Sequence, residues 1–94
     1  MEVQHVPGKN KGHIMVYALS TCGWCKRTKN LLNELGVDFY FVDVDLLGEE
    51  EKKNTKAKIL EWNPSCSFPT IVIDDENAIL GFDEDKIREE LGDE

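Results

Sequence analysis

No run of apolar residues in this chain approaches the roughly 18 needed to cross a bilayer, which excludes a transmembrane helix. Met1 to Lys11 also lacks the basic start, long apolar middle and small-residue cleavage site of a secretory signal, and this predicts a cytoplasmic protein. Positive charge is scarce. With 11 basic and 19 acidic side chains the formal charge is −8, which disfavours nucleic acid and anionic membranes as partners. Cysteine is scarce as well. An odd count of 3 argues against a structural disulfide framework and for a catalytic or metal-binding pair with one thiol left over. Internal repeats and low-complexity tracts are absent beyond the brief charge run from Glu49 to Lys53. What remains is 94 residues, 40% hydrophobic and 32% charged, the balance of one small globular domain.

Residues 1–12, with Pro7-Gly8 and Lys9-Asn10-Lys11-Gly12, are polar and rich in turn formers. They read as a flexible tail or a short extra strand, and residues 13–94 as the domain. His13 to Leu19 is a short apolar run that predicts a buried strand, with Ser20 or Thr21 to cap a following helix. From Cys22 onward, Cys25, Thr28, Leu31, Leu32 and Leu35 recur at helical spacing, while Lys26, Arg27, Lys29, Asn30 and Asn33 fall mostly on the other face; Gly36 is the natural stop. Val37 to Val44 carries apolar groups on both faces of a period-two pattern, as an interior strand requires. A charged helix over Leu47 to Leu60 follows, broken by Asn63-Pro64-Ser65. Thr70 to Ile73 and Ala78 to Leu80 flank an acidic turn, a hairpin pattern. The last helix opens at Asp83, with Phe82 and Ile87 in staple positions, and closes before Gly92. The order is βαβαββα: an α/β domain with a four-stranded mixed sheet flanked by three helices.

The chemistry gathers at Cys22-Gly23-Trp24-Cys25, between the first strand and the first helix. Thiols three residues apart on one helical turn can meet. A helix N-terminus presents unpaired N–H groups and partial positive charge, which favour a sulfur in the thiolate form that attacks disulfides. Cys22 is the expected nucleophile. Cys25 is the expected resolving thiol, attacking the mixed disulfide, releasing reduced substrate and leaving a Cys22–Cys25 disulfide. Lys26 and Arg27 follow directly and can add Coulomb attraction if their heads bend back, or can simply face solvent.

With this motif in a βαβ setting, Ser67-Phe68-Pro69-Thr70 before the hairpin and Gly81-Phe82-Asp83 at the last helix, the chain resembles the glutaredoxin-like members of the thioredoxin superfamily over residues 13–92. The resemblance implies a thioredoxin-like fold, a cis peptide bond before Pro69, and a Phe68 backbone that pairs with an extended substrate. It also implies a partner contact at Trp24 and substrate-binding roles for Phe68, Pro69, Thr70 and Gly81. Gly81-Phe82-Asp83-Glu84-Asp85-Lys86-Ile87 is similar to a stretch of the small glutaredoxin-like redoxins that serve ribonucleotide reductase. A carboxylate can reach Gly81 and the N–H groups near Asp83, but the acidic cluster repels it.

Together these features predict a monomeric thiol–disulfide oxidoreductase acting on protein or low-molecular-weight disulfides. It has no resident cofactor or metal, and a potential within the broad range of about −200 to −270 mV. Electrons come from a flavin or ferredoxin-linked reductase or from glutathione. The alternative is a zinc or iron–sulfur protein using Cys22, Cys25 and Cys66 with one histidine, His5 or His13. Cys66, three residues before Pro69, is otherwise a small buried hydrophobe or a third, regulatory thiol.

Overall fold

Alternation decides how the central strand is buried. In the computed structural model, which describes residues 3–92, Ile14, Val16 and Ala18 point into one core layer while Met15 and Tyr17 face the other. The ends of the expected segments, residues 1–2 and 93–94, lie outside the described residues. The elements are β1 (Gln4–Val6), β2 (Ile14–Ala18), α1 (Gly23–Leu35), β3 (Phe39–Asp43), a 3-10 turn (Val44–Leu46), α2 (Glu49–Trp62), β4 (Thr70–Ile73), β5 (Asn77–Leu80) and α3 (Glu84–Leu91). Strand order is β1-β3-β2-β4-β5, with β2 and β3 parallel and the other pairs antiparallel.

The sheet has five strands, not the expected four. Gln4, His5 and Val6 show no apolar period, because β1 is an edge strand held by what it meets. It pairs antiparallel with Phe39 to Phe41, and the His5 ring stacks on Tyr40 at 4.4 Å and reaches Asp38 at 2.8 Å. Without β1, β3 would expose its own unpaired backbone edge.

Leu31, Leu32, Ile87 and Leu91 of α1 and α3 cover one face of the sheet together with Phe39, Ile71 and Ile73. On the opposite face Ile59 of α2 packs with Tyr17, Val42, Val44 and Val72. Each fully buried aliphatic side chain contributes about 1.5–3 kcal/mol, so these layers outweigh any single polar contact in fixing where the loops emerge. Gly36 ends α1 at φ 71, donating to Asn33 and Leu32 carbonyls, as its position predicts. Helix α2 starts at Glu49 rather than Leu47, because Leu47 and Gly48 are extended and Leu47 is buried; Glu49, Glu50 and Glu51 then meet the positive end of the helix. Asp83 caps α3 as expected, accepting from the Lys86 N–H at 3.1 Å, and Ile87 is buried.

Candidate active site

Strand β2 runs into the turn Leu19 to Thr21, which delivers Cys22 to the start of α1. Neither Ser20 nor Thr21 caps that helix. Cys22 is itself the N-cap residue, with extended backbone, and its Sγ accepts from the Cys25 N–H at 3.2 Å. Ser20 is engaged elsewhere: its N–H and hydroxyl donate to the two oxygens of Asp45 at 2.8 and 2.5 Å. These bonds tie the turn to the 3-10 segment, and the Ser20 hydroxyl followed by its N–H hold the Asp45 carboxyl below its usual range.

The two thiols are free and unequal. Cys22 is half-buried, whereas Cys25 is 0% exposed within the α1–α3 layer. Burial first, then the hydrogen bond to Cys22, push the Cys25 thiol up to about 12. Hydrogen bonding by the Leu19 backbone and the positive charge of Lys29 pull the other way. Thus the half-buried sulfur receives the Cys25 N–H and the buried one keeps its proton.

Lys29 is not on the solvent face its spacing suggested. Its ammonium is largely buried, 2.9 Å from Asp43 at the end of β3 and 4.2 Å from the centre of the Phe41 ring. Trp24 is 56% exposed beside the thiols, stacked on Phe82 at 5.6 Å, with the Arg27 guanidinium 5.0 Å from its ring centre. Arg27 therefore bends toward the tryptophan.

The segment before β4 runs alongside the C-terminal end of β2, the strand that leads to Cys22. The antiparallel register Tyr17↔Thr70, extended by one residue, sets Pro69 opposite Ala18, and the Phe68–Pro69 peptide bond is cis. Phe68 packs against both core layers, yet its backbone N–H and C=O have no protein partner among the described residues. An unpaired backbone donor and acceptor can pair with an added extended chain. Thr70 is buried, and its hydroxyl donates to the Ser67 carbonyl at 2.8 Å. Gly81, at φ 79, donates its N–H to the Pro69 carbonyl at 2.8 Å, so that N–H is engaged within the protein.

Residues 14–78 match the family model described as glutaredoxin. The chain belongs to the glutaredoxin family. It is 36% identical over 75 residues, 79% of this chain and 91% of the relative, to an uncharacterized glutaredoxin-like 8.6 kDa protein in the rubredoxin operon of Clostridium pasteurianum. Among solved structures it superposes on the glutaredoxin from Methanosarcina mazei Go1 with a TM-score of 0.90 at 50% identity, covering 97% of this chain and 88% of that one. For Methanosarcina acetivorans methanoredoxin the TM-score is 0.88 at 57% identity, covering 92% and 90%. Glutaredoxin membership and the thioredoxin-like fold support a thiol–disulfide oxidoreductase.

A zinc site built from Cys22, Cys25 and Cys66 with one histidine would need Cys66 and that histidine beside the glutaredoxin motif. Among the described residues, no three His, Cys, Asp or Glu side chains gather so as to hold a metal ion. Cys66 packs with Phe68 against the α2 layer, while His5 and His13 stack on Tyr40. Tyr40 lies at the end of the sheet away from Cys22, because His13 precedes β2 and Cys22 follows it. Besides Lys29 and Asp43, sequence reasoning missed Asp45 and Asn63, which act across elements and carry no local signal.

Proposed function

We propose that this glutaredoxin-family protein reduces disulfides by dithiol exchange, with Cys22 as nucleophile and Cys25 as resolving thiol. The asymmetry of the thiol pair carries this proposal: a half-buried Cys22 sulfur accepts the Cys25 N–H, while burial keeps the Cys25 proton in place. In the first step the Cys22 thiolate attacks one sulfur of the substrate disulfide. The S–S bond breaks, a Cys22–substrate disulfide forms, and the departing thiolate takes a proton from water. Cys25 then gives up its proton and attacks the Cys22 sulfur, which expels the second substrate thiolate. Two electrons have moved to the substrate and a Cys22–Cys25 disulfide remains.

The free Phe68 N–H and C=O support antiparallel pairing with a substrate backbone beside Pro69. The exposed Trp24 ring, backed by Phe82 and Arg27, offers a flat contact to the partner. We assign the protein to a reducing cytoplasm, where a free dithiol persists; no described helix is long and apolar enough to cross a membrane.

For the electron donor we favour a flavin or ferredoxin-linked reductase over glutathione. Glutathione is anionic, whereas Asp83, Glu84 and Asp85 crowd the start of α3, Asp83 already caps that helix, and the Gly81 N–H is engaged by Pro69. A reductant comparison tests both levels of the proposal. The oxidised protein should be reduced faster by flavoprotein or ferredoxin-linked systems than by glutathione with its reductase. Rapid turnover with glutathione alone would overturn the donor assignment, and failure of every donor to reduce a Cys22–Cys25 disulfide would overturn the exchange itself.

A further inference from the structure

Residues 64–69 form no helix or strand, yet they carry the Phe68 backbone that the proposed exchange pairs with substrate. Asn63 holds both ends of this segment. It ends α2, its N–H donating to Ile59 at 2.7 Å, and it is only 2% exposed, so each polar atom of its amide needs a partner. The Nδ2 group donates to the Ser67 hydroxyl at 3.0 Å and the Thr70 hydroxyl at 3.1 Å, with a longer contact to the Ser67 carbonyl at 3.3 Å. Its Oδ1 accepts the Ser65 N–H at 3.1 Å, and its carbonyl accepts the Cys66 N–H at 2.9 Å. Cys66 sits at φ 51, a left-handed conformation uncommon outside glycine, which these bonds help to hold.

We propose that Asn63 is a positioning residue for peptide substrates. It touches no substrate; it fixes the Ser67 backbone, and through it the direction in which the free Phe68 N–H and C=O point. This inference rests on the disulfide-exchange reading. Only a substrate with peptide groups flanking its disulfide can use that backbone, so Asn63 should govern the choice of peptide over small disulfides. It should not govern the intrinsic attack by Cys22.

The test is single-turnover oxidation of the reduced protein by two disulfides, a disulfide-bridged peptide and 2-hydroxyethyl disulfide, which has no peptide groups. Asn63→Asp keeps the size of the side chain and replaces its N–H donors with an acceptor. Ser67→Ala removes the hydroxyl that accepts from the Asn63 amide at 3.0 Å, which gives the same contrast should Asn63→Asp fold poorly. Each variant should react about tenfold more slowly with the peptide and within about twofold of wild type with the small disulfide. Equal slowing with both substrates marks a structural role and overturns the proposal, as does an unchanged rate with the peptide. A wild-type protein that reduces neither disulfide overturns the exchange reading itself, and the proposal with it.

Discussion

The Sγ of Cys22 lies 3.2 Å from the backbone nitrogen of Cys25, so the helix that carries the thiols is capped by one of them. A hydroxyl or carboxylate normally does this work. Here the turn hydroxyl of Ser20 is committed to Asp45, and the sulfur takes the first-turn N–H instead. Negative charge arriving on Cys22 thus meets a donor already in place, while the buried Cys25 keeps its proton.

The protonation of Cys25 couples stability to alkaline pH. Its folded value, pushed up to about 12 from an ordinary 9.0, means that between these values the unfolded chain binds fewer protons than the native one. Its contribution is complete below pH 9 and is lost as pH rises toward 12. Urea unfolding of the reduced protein should therefore show wild type losing stability relative to Cys25→Ser above pH 9, with a slope no steeper than about 1.4 kcal/mol per pH unit. A pH-independent difference between the two proteins would contradict this.

Lys29 pulls the Cys25 thiol down and Asp43 balances Lys29, so the two substitutions should act in opposite senses. Lys29→Met should slow the resolving step about three- to tenfold, leaving first attack by Cys22 nearly unchanged. Asp43→Asn should hasten resolution. Stopped-flow measurement of the mixed-disulfide lifetime checks both, and a shift in the same direction for the two variants would count against the electrostatic link.

Thr55 is 0% exposed on the buried side of α2, and its hydroxyl has no hydrogen-bond partner among the described residues. Replacing a buried, unsatisfied hydroxyl with a methyl removes a desolvation penalty. Thr55→Val should raise stability by about 0.5–1.5 kcal/mol in urea unfolding, with no change in exchange rate.

How far the sequence reveals the molecule depends on the range of each interaction. Helix α1 was legible because Cys25, Thr28, Leu31 and Leu32 repeat at helical spacing, and Gly36 marks its end in a conformation that favours glycine. Strand β1 was legible only as one of two readings, a flexible tail or a short extra strand, since Gln4, His5 and Val6 become a strand only by pairing with Phe39 to Phe41. The motif announced both thiols, and the exposure of Trp24 followed from its place beside them. Nothing local distinguishes Lys29 from a solvent-facing lysine, because its partner Asp43 is on another element. Asn63 read as a helix breaker, and its buried amide gained a role only once Ser67 and Thr70 folded around it.

The division of labour between the thiols is tested most directly by trapping. Cys25→Ser is incubated with a disulfide-bridged peptide, and the adduct is mapped by proteolysis and mass spectrometry beside Cys22→Ser. A stable peptide adduct on Cys22 in the first variant, with no disulfide reduction by the second, is the expected result. An adduct on Cys66, or full reduction in the absence of Cys22, would contradict the assignment.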